Sequence, residues 1–256
     1  MVLGDRGGLP LSPRRQICHD SQSTGRGTTL RRAAMALAGR WGGEMADEGK
    51  MTAEFKDLWP TTLLTDRLPG AENANPLLAA LIEEMDAGRA DMTTDYLSGN
   101  FFDIAHPAVA WLRDCVNRCC VMYARHAGID YEMDWYIQAW PNVNRFGDYH
   151  NLHNHPHSWL SGTYYVQVPS GEPKVKGRSD LNPGAISFFD PRAQANMLAV
   201  RGDGQVEAEH RVQPEPGMVL VWPAFLHHLV HPNLFDEARI SISFNVVLNW
   251  RDEYVP

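Results

Sequence analysis

Two groups of histidines are the residues of this sequence whose types and spacing could do chemistry. Eight of the eleven histidines fall between His150 and His231. Imidazole is a ligand suited to iron, zinc, copper or nickel, so the crowding predicts a metal site. The first group lies in DYHNLHNHPHSWLSGTYYVQVP and the second in FLHHLVHP: His150, His153, His155 and His157, then His227, His228 and His231.

Strand geometry brings two histidines of the first group together. Side chains alternate across a strand, so His153 and His155 point to the same face. A histidine from a later strand can meet them across the interior of a β-roll. Three ligands on one side of a metal leave positions open for chemistry, as in facial-triad iron oxygenases. The two groups together therefore predict a metal site inside the roll.

The segment RISISFN follows His228 and carries a second kind of chemistry. Arg239, Ser241 and Ser243 share one strand face by the period of two. A guanidinium binds a carboxylate through two parallel charge-assisted hydrogen bonds, and a neighbouring hydroxyl fixes its rotation. Arg239 with Ser241 thus predicts a carboxylate clamp for a diacid cosubstrate, and the competing interpretation is an interstrand salt bridge.

The elements that must position these residues are short strands behind two helices. From Trp135 onward, runs rich in β-branched and aromatic residues are separated by Gly, Pro, Asn and Asp, which predicts a mainly β sandwich or jelly roll. Upstream, NANPLLAALIEEMDAG predicts a helix capped by Asn75 and opened by Pro76. The segment HPAVAWLRDCVNRCCVMYARHAG predicts a second helix, opened by Pro107 and ended near Gly128.

Composition limits the class of protein. The formal net charge of −8 disfavours a protein that finds nucleic acid or a membrane surface by charge. No apolar run approaches the roughly 18 residues of a membrane span. The four cysteines form no spaced disulfide framework, and the three of the second helix are expected to be ordinary buried thiols, which favours a reducing cytoplasm.

The chain is expected to divide into three parts. Residues 1–44 are rich in Arg, Gly and Ser and predict a disordered leader, with an organelle transit peptide or a true start at Met45 or Met51 as alternatives. Residues 45–134 form a helical part that packs on the roll, and residues 135–256 form the catalytic core, so that 45–256 make one domain.

The order of these motifs resembles a branch of the Fe(II)- and 2-oxoglutarate-dependent oxygenases. The resemblance runs from about Trp59 to Trp250 and is carried by the first histidine cluster, SGTYYV, FFDPR, PGMVLVWPAFLHHLVHPN and RISISFN. It implies a double-stranded β-helix, cupin-like and preceded by two packing helices, that holds Fe(II). It also implies that 2-oxoglutarate chelates the metal and that its far carboxylate meets the arginine.

The resemblance also implies roles for single residues. His153 is the first ligand, His228 the distal ligand, and Arg239 with Ser241 the cosubstrate clamp. The segment NRF, which begins at Asn144, is similar to a segment that lines the cosubstrate pocket in the alkylated-base demethylase relatives, and Asn144 is its candidate cosubstrate residue. Four aromatic residues of the strands are candidates for the pocket wall: Trp159, Tyr164, Tyr165 and Trp222. By alternation either Tyr164 or Tyr165 faces inward, and Tyr165 is preferred.

The sequence departs from the wider superfamily at the second ligand. The usual first motif is His-x-Asp or His-x-Glu, and here His155 occupies the carboxylate position. Three explanations stay open: a three-histidine site, completion of the triad by Asp148 or Asp190, or a first pair made of His155 and His157. The preferred set of metal ligands is His153, His155 and His228.

The predicted activity is hydroxylation of a small molecule or protein side chain, with release of succinate and CO2. Two other classes compete with it. One is a cupin-type metalloenzyme that does not use 2-oxoglutarate and needs no arginine clamp, and the other is a non-catalytic β-roll that binds a sugar or peptide. No nucleic acid or membrane partner is indicated, whereas a homodimer is allowed because the end of a β-roll can pair with another copy.

Overall fold

The computed structural model describes residues 54, 56–89, 91–94, 99–175, 177–178, 180–192 and 207–249. The predicted leader at 1–44 and the two alternative starts lie outside these residues. The chain divides into two compact units, Met1–Leu58 and Trp59–Pro256. Every helix and strand below belongs to the second unit, and the three-part division of the chain stays a prediction.

Two α-helices precede the strands, as the sequence predicts. Helix α1 spans Ala71–Ala87 and α2 spans Pro107–His126, with a short 3-10 helix at Phe101–Asp103 between them. Helix α2 begins as predicted at Pro107, where the Nδ1 atom of His106 accepts a hydrogen bond from the backbone N–H of Ala108 at 3.2 Å.

The predicted start of α1 is wrong. The helix begins at Ala71, after Gly70 in a left-handed conformation, and Pro76 lies inside it. Asn75 does not cap the helix, because its Oδ1 atom accepts a hydrogen bond from the Tyr164 hydroxyl at 2.5 Å. Ala71 and Ala74, in the first turn, are buried, so tertiary packing outweighs the local Asn-Pro signal.

The described strands form two antiparallel sheets. The strands are β1 Leu64–Arg67, β2 Trp135–Asn144, β3 His150–His153, β4 Leu160–Gln167, β5 Ile186–Phe189, β6 Glu209–Val212, β7 Met218–Pro223, β8 His228–Val230 and β9 Arg239–Leu248. The larger sheet has the order β1-β7-β4-β9-β2 and the smaller the order β3-β8-β5-β6.

Alternation along the strands separates a packing core from a site. One face of the large sheet packs against the helices and carries Tyr164, Ile242 and Phe244. The opposite face carries Tyr165 and Trp222, which pack with Ile186 and Phe188 of the small sheet inside the roll. The prediction of a mainly β, double-stranded β-helix with two N-terminal packing helices is confirmed.

Helix α2 buries the cysteines that the sequence analysis treats as ordinary core thiols. Cys115, Cys119 and Cys120 are buried and free. Burial raises the pKa of the Cys119 thiol to about 11 and that of Cys120 to about 12, so both stay protonated. Among the helices that the structure describes, none is long and apolar enough to cross a bilayer.

Candidate metal centre and cosubstrate cavity

Three histidines converge at one end of the roll. The ligand atoms of His153, His155 and His228 all lie within 4.8 Å of one another. His153 is the last residue of β3, and it pairs with His228, the first residue of the neighbouring strand β8, in the small sheet. The turn after β3 is tied down by the backbone N–H of His155, which donates to the carbonyl of Ala224 at 2.9 Å. The structure therefore brings the preferred ligand set together.

Hydrogen bonds fix which nitrogen of two rings is free. Nδ1 of His153 lies 2.6 Å from the carbonyl oxygen of Asn151, and Nδ1 of His228 lies 3.1 Å from that of Leu226. A carbonyl oxygen only accepts, so each Nδ1 carries the proton and each Nε2 presents a lone pair. Donation by the second ring nitrogen to a carbonyl is typical of histidines that bind metals.

Two of the three histidines are held in the neutral form that can bind a cation. Nε2 of His155 lies 3.4 Å from Nε2 of His228. Burial, together with the nearby His153, lowers the pKa of His155 to about 4 and that of His228 to about 3. Both rings are neutral at physiological pH, which is the form that binds a metal.

No described carboxylate joins the three histidines. The Oδ2 atom of Asp148 accepts from the backbone N–H of Arg145 at 2.7 Å. Asp190 accepts from the backbone N–H, Nε and NH2 of Arg192. His157 is exposed and has a left-handed φ of 70°. Of the open explanations, the geometry favours the all-imidazole site.

Arg239 is buried without a carboxylate in the described part of the chain. Only 1% of the residue is exposed. Its NH1 donates to the carbonyl of Gly184 at 3.2 Å and its NH2 to Oδ1 of Asn144 at 2.6 Å. Its Nε–H has no partner among the described residues. The interstrand salt bridge that competed with the clamp is not seen in this part of the structure.

One cavity joins the histidines to Arg239. Its empty space measures about 470 Å³, including solvent at its mouth. It is lined by His153, His155 and His228, by His150, and by Arg239, Ser241, Ser243 and Tyr165. The other lining residues are Thr94, Trp140, Gly162, Thr163, Ile186, Trp222 and Val230.

The aromatic candidates separate as alternation predicts. Tyr165 lies on the cavity side, and burial raises the pKa of its hydroxyl to about 12 although the Arg239 charge opposes this. Tyr164 lies on the other face, where it contacts Trp111 edge-on. Trp159 packs against Tyr123 in the helix-side core and lies outside the set of residues that line the cavity.

Asn144 belongs to a network that includes a histidine the sequence analysis did not select. Asn144 accepts from Arg239, and its Nδ2 donates to the carbonyl of Thr93 at 3.5 Å. Nε2 of His150 donates to the same carbonyl at 2.9 Å. Strict alternation places His150 and His153 on opposite faces, but a register shift in β3 lets both line the cavity.

Comparison with known proteins identifies the class. Residues 138–245 match the family described as "Putative 2OG-Fe(II) oxygenase". The matched segment begins in β2 and ends in β9, so it covers the roll, and the match supports a 2-oxoglutarate- and Fe(II)-dependent oxygenase, an oxidoreductase. Comparison of the sequence with curated proteins gives no match.

Three solved structures illustrate the similarity. A prolyl-4-hydroxylase from Pseudomonas putida is 16% identical over 73% of this chain and 88% of that chain, with a TM-score of 0.48. HygX from Streptomyces hygroscopicus, with nickel and 2-oxoglutarate bound, is 13% identical over 75% and 85%, with a TM-score of 0.48. A prolyl hydroxylase from Trichoplax adhaerens, in complex with a hypoxia inducible factor peptide fragment, is 9% identical over 88% and 94%, with a TM-score of 0.47.

The cofactors of the family are Fe(II) and 2-oxoglutarate, as the resemblance implies. The residues fit both groups. Three converging imidazoles suit a divalent transition metal. In the same cavity, the unpartnered N–H of the buried Arg239 suits the carboxylate of a diacid.

Proposed function

We propose that this oxygenase hydroxylates a C–H bond of a small molecule or a protein side chain. The substrate and O2, together with 2-oxoglutarate, would give the hydroxylated product, succinate and CO2. The observation that carries the proposal is the sharing of one cavity by three histidines and a buried arginine whose Nε–H has no partner in the described chain. The oxidising power comes from the bound metal and the cosubstrate.

We assign the metal to His153, His155 and His228. Their ligand atoms lie close enough together to hold one ion. A carboxylate from Asp148 or Asp190 is the weaker alternative, because both side chains already accept hydrogen bonds from neighbouring backbone N–H groups.

We assign the far carboxylate of 2-oxoglutarate to Arg239 and Ser241. A guanidinium has five N–H donors, and two of those of Arg239 already bind Gly184 and Asn144. The others remain for the cosubstrate, and Ser241 lies two residues along on the same strand face.

Asn144 acts through Arg239 in this proposal. Its Oδ1 atom accepts a hydrogen bond from NH2 of the guanidinium at 2.6 Å, and this bond fixes the plane of the guanidinium group. Tyr165 stands opposite Ser241 in the register of β4 and β9 and forms part of the cosubstrate wall.

The remaining walls would exclude water during turnover. Trp140, Trp222, Ile186 and Val230 line the same cavity. A closed apolar wall strengthens electrostatic interactions inside the site and protects reactive groups from side reactions.

We also propose a reducing cytoplasm as the location, because α2 carries three buried free thiols. The formal net charge of −8 disfavours nucleic acid as the substrate, because both would be negatively charged. A homodimer stays a prediction.

Anaerobic titration tests the assignment. The metal-free protein is loaded with Fe(II), and 2-oxoglutarate is added while the visible charge-transfer absorption of the chelate is followed. The wild type is expected to develop the band and His228→Ala to lose it. Arg239→Ala is expected to weaken 2-oxoglutarate binding at least about tenfold, because a buried charge-assisted pair is lost.

The matched control is Arg125→Ala, which removes an exposed arginine in the last turn of α2. Its titration should equal that of the wild type. Stoichiometric iron without a band would contradict the use of 2-oxoglutarate and favour a cupin-type site. Absence of iron binding would favour a non-catalytic roll.

A further inference from the structure

The described residues contain two buried side-chain polar atoms without a hydrogen-bond partner, and both belong to residues that line the cavity. One is Nε of Arg239, and the other is Nε1 of Trp222. Both are donors, and an indole N–H cannot accept. Leaving a buried donor unpaired costs free energy, whereas a phenylalanine at position 222 would bring no such cost. The pair therefore points to a ligand with acceptors for both donors.

The two donors lie toward different ends of the cavity. The Trp222 ring contacts the His228 ring edge-on, with centroids 4.8 Å apart. In the register of the large sheet, Trp222 is level with Ser161 and Asn245. Arg239 lies at the opposite end of β9, six residues from Asn245. Trp222 is thus the donor beside the metal ligands, and Arg239 is the donor remote from them.

We propose that Trp222 is a positioning residue for 2-oxoglutarate, with its indole N–H donating to the 2-oxo-carboxylate end of the cosubstrate near the histidines. The inference rests on the proposed function, since it takes 2-oxoglutarate as the ligand. Two residues would then share recognition of the cosubstrate: Arg239 binds its far carboxylate, and Trp222 binds its 2-oxo-carboxylate end. The ring itself is held in place by Phe188, whose centroid lies 5.0 Å away.

The test removes the N–H and keeps the ring. Incorporation of benzothienylalanine at position 222 replaces the indole by an isostere without the donor, and Trp222→Phe provides a second variant. The same replacement at Trp135 is the control, because its Nε1 donates to Asn117 at 3.0 Å outside the cavity. The probes are 2-oxoglutarate and 2-oxobutyrate, which keeps the near end but lacks the far carboxylate.

Binding to the Fe(II)-loaded protein is measured anaerobically from the charge-transfer absorption. The Trp222 variants are expected to bind both probes about tenfold more weakly and to shift the band, because one hydrogen bond to a charged group is lost. Arg239→Ala should weaken only 2-oxoglutarate. The Trp135 control should match the wild type for both probes.

Three outcomes separate the possibilities. If the Trp222 variants lose affinity for 2-oxoglutarate alone, the donor serves the far end and the inference is overturned. If neither probe is affected, the indole N–H does not bind the cosubstrate, and the inference fails while the proposed function stands. If the wild type binds Fe(II) but neither probe, the proposed function itself fails before any variant is compared.

Discussion

At the scale of single residues, the proposed ligand set has an imidazole, His155, at the position where the related motifs carry a carboxylate. His155 is half-buried and lies beside His228 with its nitrogen 3.4 Å away. Three neutral ligands leave the full +2 charge on a bound Fe(II), whereas a carboxylate would reduce the site to +1. A dianionic cosubstrate is attracted more strongly by the all-imidazole site.

Two substitutions at His155 test this charge argument. His155→Ala is expected to weaken Fe(II) binding at least about tenfold, since one ligand is lost. His155→Asp is expected to keep Fe(II) but to bind 2-oxoglutarate about tenfold more weakly, because the net charge of the site falls. Both affinities are measured by anaerobic titration.

The control for this pair is His157→Asn, at an exposed position with a left-handed φ that asparagine tolerates. It should leave both affinities unchanged. Fe(II) binding by His155→Ala equal to that of the wild type would remove His155 from the ligand set and reopen the search for a carboxylate.

Residue types, their spacing and the family resemblance were enough to select His153, His155, His228 and Arg239 from the sequence. Strand period does not account for His155, because β3 ends at His153 and His155 lies in the turn that follows. The same signals could not select His150, because a register shift within β3 breaks the period of two. They could not select the N–H of Trp222 either. Whether an indole donor has a partner depends on the side chains packed around it, and those come from strands far apart in the sequence.

At the scale of elements, the strands were predictable because β-branched runs are bounded by turn residues, and α2 because Pro107 marks its start. The start of α1 was not, because burial of Ala71 and Ala74 extends the helix beyond the Asn-Pro pair. Capping residues and prolines indicate where a segment would start a helix on its own. Where two starts have similar energies, packing against the rest of the chain decides between them.

Gly162, in the middle of β4, allows a prediction at this scale. A Cβ atom there would lie 2.2 Å from the Phe244 ring and 2.6 Å from the carbonyl oxygen of Leu220. Gly162→Ala would force β4 away from both neighbouring strands, so we expect a loss of roughly 1–3 kcal/mol in the free energy of unfolding. Chemical denaturation of the metal-free protein measures it.

The matched control is Gly88→Ala at the end of α1, where an added Cβ makes only an ordinary contact of 3.7 Å with the carbonyl of Met85. Its unfolding midpoint should stay close to that of the wild type. Equal midpoints for Gly162→Ala and Gly88→Ala would show that β4 does not approach its neighbours as closely as the structure indicates.

At the scale of the whole molecule, the site links stability to pH. Burial is the main cause that lowers the pKa of His150, His155 and His228, to about 4, 4 and 3 respectively. In the unfolded chain the pKa of histidine is about 6.5. Between these values the unfolded state binds more protons than the folded state, so acid favours unfolding.

The metal-free protein is therefore expected to have its full stability above pH 6.5 and to lose it as the pH falls from about 6.5 toward 4. Thermal unfolding across this range measures the loss. His150→Gln should make the decline shallower by up to one proton, because glutamine keeps a donor for the Thr93 carbonyl but does not titrate. The exposed His157→Asn should decline as steeply as the wild type. If His150→Gln and His157→Asn give the same slope as the wild type, the buried imidazoles do not carry the pH dependence, and carboxylates elsewhere in the molecule do.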